Sequence, residues 1–209
     1  MPSEVSSGAG ILGNTPGVGT FSTRPGDTLS FTIPDFMRID TGPSPDTRLS
    51  PNFMVSHLTG GDSEGGVLRA QEGLSVVQIA QNMQLLSYTV LERIRSQFQD
   101  RWTISEGLYN PYENETVADG SLNHFFSRGL AVGIQFPEQP DSVYFDVAQW
   151  CVNNLVFESI VLSYIDYDPT GVNEPTLIVA VRPGSNSKSV STEMNHRSVG
   201  SELMDLSDD

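Results

Sequence analysis

The sequence predicts an α+β domain. A small, mainly antiparallel sheet packs with two helices, and the domain carries an extended N-terminal arm and a C-terminal tail. Three observations carry this. Apolar residues recur at helical spacing over residues 76–98. Several short β-prone runs are bounded by Pro or Gly. Both ends are rich in polar and small residues. The order of strands and helices suits layers of mixed type rather than a βα repeat.

Residues 1–48 form the arm, rich in Gly, Pro, Ser and Thr. Its one strand-like piece is Thr28 to Ile33, with Leu29, Phe31 and Ile33 alternating before Pro34. The compact part, residues 49–183, starts near Leu49. Ser75 and Gln78 make a capping box. Behind it Val76, Ile79, Ala80, Met83, Leu86, Val90, Ile94 and Phe98 predict one helix over 76–98. Trp102 to Ser105 reads as a short strand, 106–123 as a polar loop, and Leu130 to Phe136 as a buried strand closed by Pro137. Asp141 and Ser142 are expected to cap a second helix whose apolar face is Val143, Phe145, Val147, Ala148, Cys151, Val152 and Leu155. Strands follow over Ser159 to Tyr164 and Thr176 to Val181, the second apolar enough to be covered on both faces. Pro183 and Gly184 end the domain, and residues 184–209 are a polar tail finishing in Glu202, Asp205, Asp208 and Asp209.

The formal net charge is −15, from 26 acids and 11 bases. Phosphate backbones and anionic membranes would repel such a chain, so neither nucleic acid nor membrane is expected as a partner. The N-terminus MPSEVSSGAG has no basic segment followed by an apolar one, and no apolar run is long enough to span a bilayer. The sequon at Asn114 would matter only in a secreted chain. Cys151 is the single cysteine, so no intrachain disulfide forms; between Trp150 and Val152 it reads as a small buried residue.

Residue chemistry alone marks no active site. The three histidines, His57, His124 and His196, are scattered, and no pair has metal-ligand spacing. Asp166 to Gly171 begins like a calcium loop, but Thr170 stands at the third ligand and Leu177 where the closing Glu belongs; a turn explains it as well. Gly60-Gly61 and Gly65-Gly66 lack the lysine of a phosphate loop. No cofactor is expected.

Several segments together resemble one family. Leu49-Ser50-Pro51-Asn52-Phe53 is similar to an L-S-x-x-F opening. Ile104 to Pro111 is similar to I-T-S-G-Y-R-S-P, and Gly129 to Ile134 to the end of S-x-H-x-x-G-x-A-x-D-I. Trp150 to Tyr164 resembles the helix and strand before the last ligand, and Pro175 to Val181 resembles P-W-I-H-V-S-F. These are motifs of the zinc D-alanyl-D-alanine carboxypeptidases of the hedgehog-type fold, the peptidoglycan peptidases found also in phage tail proteins and endolysins. The resemblance spans residues 49–182.

It implies a site whose functional residues are gone. The first zinc histidine falls on Phe126, since His124 reaches that position only with an insertion. The zinc aspartate falls on Gly133 and the last zinc histidine on Ile178. The arginine that grips the substrate carboxylate falls on Tyr109, and the general-base glutamate on Ser163. Phe, Gly and Ile offer a metal no lone pair, and without metal no water is activated near neutral pH. The expectation is therefore an inactive peptidase homologue, without metal or cofactor. It would serve as a structural protein of a phage virion, in the tail or baseplate, assembled in the host cytoplasm and bound to other virion proteins in multiple copies. Two alternatives stand beside it. One is a peptidoglycan-binding module that no longer cleaves, lined by Trp102, Tyr109, Tyr112 and the 106–123 loop; loss of the carboxylate-gripping arginine speaks against it. The other is a metallopeptidase with a relocated site using His57 and His124.

Overall fold

In the computed structural model, residues 39–59, 68–71, 73–99, 101–109, 118–164, 174–184 and 187–194 are described. The arm strand at 28–33, the Asp166–Gly171 turn, both Gly-Gly pairs, Tyr112, Asn114, His196 and the acidic end lie outside them. The fold is α+β, with a five-stranded mixed sheet in the order β1-β2-β4-β3-β5. The strands are β1 (Thr103–Glu106), β2 (Ala131–Gln135), β3 (Ser159–Tyr164), β4 (Thr176–Ala180) and β5 (Ser189–Met194). The first four pair antiparallel, and β5 runs parallel to β3. β5 lies inside the stretch that reads in sequence as tail. Its S-V-S-T-E-M has only two apolar residues, Val190 and Met194, as suits a strand at a sheet edge.

The long helix forms as predicted, capped by Ser75 and Gln78 in a reciprocal box. It runs as α2 (Val76–Leu86), a π segment (Ser87–Leu91) and α3 (Glu92–Phe98), with helical dihedrals at both joins. The apolar stripe explains the π segment. From Leu86 the apolar positions step by four to Val90, Ile94 and Phe98. In a regular α-helix each such step drifts about 40° around the axis, and a wider turn absorbs that drift. Glu92, absent from the stripe, is 2% exposed. Its carboxylate accepts from Ser50 Oγ (2.7 Å), Asn52 N (2.8 Å) and Asn52 Nδ2 (2.7 Å). The Leu49–Phe53 turn is thereby clasped to the helix, with Leu49 N donating to Phe53 O at 2.9 Å.

Two further short helices appear. α1 (Val55–Leu58) carries His57. α4 (Leu122–Ser127) occupies the end of the expected loop and the residues after it. Ser121 Oγ caps α4 by accepting from His124 N at 3.2 Å, and Gly129, at φ +69°, ends it. α5 (Asp141–Asn154) departs from expectation at two points. Its N-cap is Pro140, which makes no side-chain cap; Asp141 already lies in the first turn, where its charge favours the helix dipole. Phe145 is 37% exposed and not part of the apolar face. The inward stripe is Tyr144, Val147, Ala148 and Cys151, and Phe145 stands about 100° from Tyr144 around the axis.

The register sorts the sheet into two faces, because directly opposed residues share a face. One row set holds Val132 and Ile134, Leu177 and Val179, and Ile160 and Leu162. Phe136, which continues that parity past β2, packs edge-on against Phe98 and Tyr144, so this is the face that meets α3 and α5. Tyr144 Oη also accepts from Phe136 N at 2.9 Å. The opposite face holds Gly133, Ile178, Val161, Thr176 and Ser163.

Candidate functional site

The second face carries three of the five positions singled out in sequence. Gly133 on β2 is directly opposed to Ile178 on β4, and Ile178 to Val161 on β3, giving one row across three strands. Ser163 lies two residues along β3 from Val161, opposite Thr176 and on the same face. Ile178 is 4% and Ser163 6% exposed. Phe126, buried, sits in the helix that leads into β2. Tyr109 is tied to that helix through its backbone: its N donates to Phe126 O at 3.4 Å, and Gln71 Nε2 donates to the carbonyls of Tyr109 and Ser127.

A bulge in β1 completes the arrangement. Ile104 opposes Ile134, but the next pair is Glu106 with Gly133, leaving Ser105 extra. Were β1 regular, with Ser105 opposite Gly133, alternation would turn Glu106 to the face of Ile104. With the bulge, Glu106 stands beside Gly133. A Cβ on Gly133 would meet Glu106 Cβ at 2.8 Å and Thr176 Cγ2 at 2.9 Å. Gln135 Nε2 holds Thr176 Oγ1 at 3.1 Å. The space beside Gly133 is filled by side-chain stems.

This face offers apolar carbon, the hydroxyls of Ser163 and Thr176 and, beside Gly133, the side chain of Glu106. Among the described residues no group of three His, Cys, Asp or Glu is placed to hold a metal ion. His57 and His124 keep separate company. His57 is exposed, packs edge-on to Phe53, and takes part in the α1 cap through Nδ1. His124 Nε2 lies 3.1 Å from Asp119 Oδ1, and its ring meets Phe125. Trp102 stacks on Phe53 and lines a shallow cleft of about 290 Å³ with His57, Arg95, Gln99, Thr103 and Ile104. Tyr109 does not line that cleft. Cys151 is fully buried, and burial pushes its thiol up to about 12, so it is no nucleophile near neutral pH.

Sequence reasoning missed Glu92, α4 and β5. A signal existed for α4, in Ser121 before and Gly129 after the segment. Glu92 had none, since its partners are 40 and 42 residues away. No helix among the described residues is long and apolar enough to cross a membrane. No protein-family model, no curated protein and no solved structure matches the chain.

Proposed function

We propose that this chain is a non-catalytic structural subunit of a bacteriophage virion, in the tail or baseplate. It would use a hedgehog-type, carboxypeptidase-like domain as a scaffold after loss of the catalytic residues. One observation carries the reading. Gly133 and Ile178, which fall on two zinc ligands of the resembled family, are direct cross-strand neighbours on one face. Ser163 shares that face, and Tyr109 and Phe126 are linked to each other by a backbone hydrogen bond. That Gly133, Ile178 and Ser163, far apart in sequence, share one sheet face supports this reading. The residues at the two zinc positions cannot bind a metal. What remains is a packed sheet whose use lies in contacts with other virion proteins.

The test is the chain's place in purified particles. Quantitative mass spectrometry and an electron-microscopic reconstruction should find it at fixed stoichiometry in the tail or baseplate. A chain present in infected-cell lysate but missing from particles would sink the reading. Retention on purified cell-wall sacculi would instead favour the peptidoglycan-binding alternative.

A further inference from the structure

The two edge strands of the sheet are built differently. β1 has four residues, carries the bulge at Ser105 and exposes Glu106, all features that discourage further pairing. β5 has six residues in unbroken register with β3, from Ser159↔Ser189 to Tyr164↔Met194. It contains no Pro, Gly or Lys. Such an edge is a ready template for another strand.

In a parallel ladder a residue turns its N–H and C=O to the same side, and the side alternates along the strand. Ser189 N donates to Glu158 O at 3.1 Å, toward β3. Ser191 follows Ser189, so Val190 and Thr192 point their backbone groups outward. Among the described residues those outward groups have no hydrogen-bond partner. Val190 is only half-buried against the core, and its register with Ile160 puts it on the helix-facing side of the sheet.

The arm contains a segment of matching length and pattern. Thr28-Leu29-Ser30-Phe31-Thr32-Ile33 alternates hydroxyl and apolar residues between Pro25-Gly26 and Pro34. Set beside β5, its apolar side would cover Val190 and its hydroxyl side would continue Ser189 and Ser191. We infer that residues 28–33 of one copy add as a sixth strand to the β5 edge of a second copy. The contact is heterologous, so it links copies head to tail. This deepens the proposal of an assembly subunit and rests on it.

The geometry favours a second copy over the chain's own edge. Ile39 O accepts from Gln81 Nε2 at 3.0 Å, and the neighbouring Asn82 binds Arg128 O, close to the start of β2. A strand added outside β5 lies four strand spacings from β2, a crossing of about 19 Å at the usual spacing. The connector from Ile33 to Ile39 reaches at most about 20 Å, so pairing within one chain needs it nearly taut. Pairing between chains imposes no such limit.

Sedimentation velocity on the full chain tests this. The wild type should self-associate with rising concentration. Phe31→Pro and Thr192→Pro should each weaken association at least tenfold; the Thr192 N–H points away from β3, so its loss spares that pairing. Mixed one to one, the two variants should form dimers and nothing larger, since one supplies an intact edge and the other an intact arm. That recovery also shows that neither variant has simply failed to fold. A wild type monomeric at every concentration, association unchanged in both variants, or no dimer in the mixture would each overturn the inference. So would a monomer whose melting temperature drops in Phe31→Pro, which would place the segment on its own edge. Presence in particles together with a monomer in solution would overturn this contact alone; self-association with absence from particles would overturn the virion reading alone.

Discussion

Gly133→Ala isolates how tightly the converged face is filled. The backbone at Gly133 is not in the left-handed region, so alanine meets no dihedral strain there. Its cost is steric. The new methyl would lie 2.8 Å from Glu106 Cβ and 2.9 Å from Thr176 Cγ2. Neither atom is the free end of a flexible chain. Thr176 is β-branched and held through its hydroxyl by Gln135, and Glu106 Cβ can retreat only with the backbone of bulged β1. Overpacking of this kind costs about 1–3 kcal/mol. Removing glycine from the unfolded chain returns about 0.4–1 kcal/mol. The net expectation is a loss of about 1–2 kcal/mol, which with a urea slope near 2 kcal/mol/M lowers the unfolding midpoint by about 0.5–1 M. Thr176→Ser removes the Cγ2 contact and keeps the hydroxyl, so in a double-mutant cycle it should recover about 0.5–1 kcal/mol of that loss. A midpoint unchanged or raised in Gly133→Ala, or purely additive effects in the cycle, would refute the packing argument.

Glu92→Ala strands the buried Ser50 hydroxyl and frees the two donors of exposed Asn52, and should cost about 2 kcal/mol in urea unfolding, with Glu92→Gln costing about half; a loss below about 0.5 kcal/mol would mean the clasp does not hold the turn. Burial raises the Cys151 thiol from 9.0 to about 12 and the Tyr144 phenol from 10.0 to about 12. Both groups stay protonated longer in the folded chain, so their stabilisation is complete below the unfolded values and is lost as pH climbs toward 12. Thermal melts should therefore fall from about pH 9 upward, and Cys151→Ala should delay the onset toward pH 10; an onset unmoved in the variant would contradict the assignment. Chain purified from zinc-supplemented cells should carry far less than one zinc per molecule and melt identically with and without chelator, whereas stoichiometric zinc would revive a relocated site.

The long helix and the β3 strand are legible in sequence because each carries a strong local period or run. The capping box is legible for the same reason, as Ser75 and Gln78 are three residues apart. β5 is not, because its stability comes from a parallel partner 30 residues away rather than from its own composition. Phe145 misleads because its stretch alternates apolar and polar residues over 143–147, and alternation cannot decide which residues of a helix face inward. The convergence of Gly133, Ile178 and Ser163 depends on cross-strand register. Residue types could nominate those positions, but only the pairing sets them together.

Introducing the resembled family's zinc ligands at the matching positions tests the proposed resemblance. Each single step should be harmful. Gly133→Asp adds to the alanine clash a carboxylate facing Ile178 and Val161, and an unpaired buried charge is costly. Ile178→His gives up apolar burial worth about 1.5–3 kcal/mol and introduces ring nitrogens with no partner in that row. Phe126→His does the same in α4. The three together differ from their sum if the backbone places them around a common point, because zinc then satisfies all three at once. The triple variant should melt well below wild type without metal. Zinc at about 100 times its dissociation constant would stabilise it by about 2.7 kcal/mol, a rise in melting temperature on the order of 5 °C. Wild type and the single variants should show no such rise. A triple variant that folds but melts at the same temperature with and without zinc would separate the converged face from any metal-binding outline. The resemblance would then rest on the sequence motifs alone.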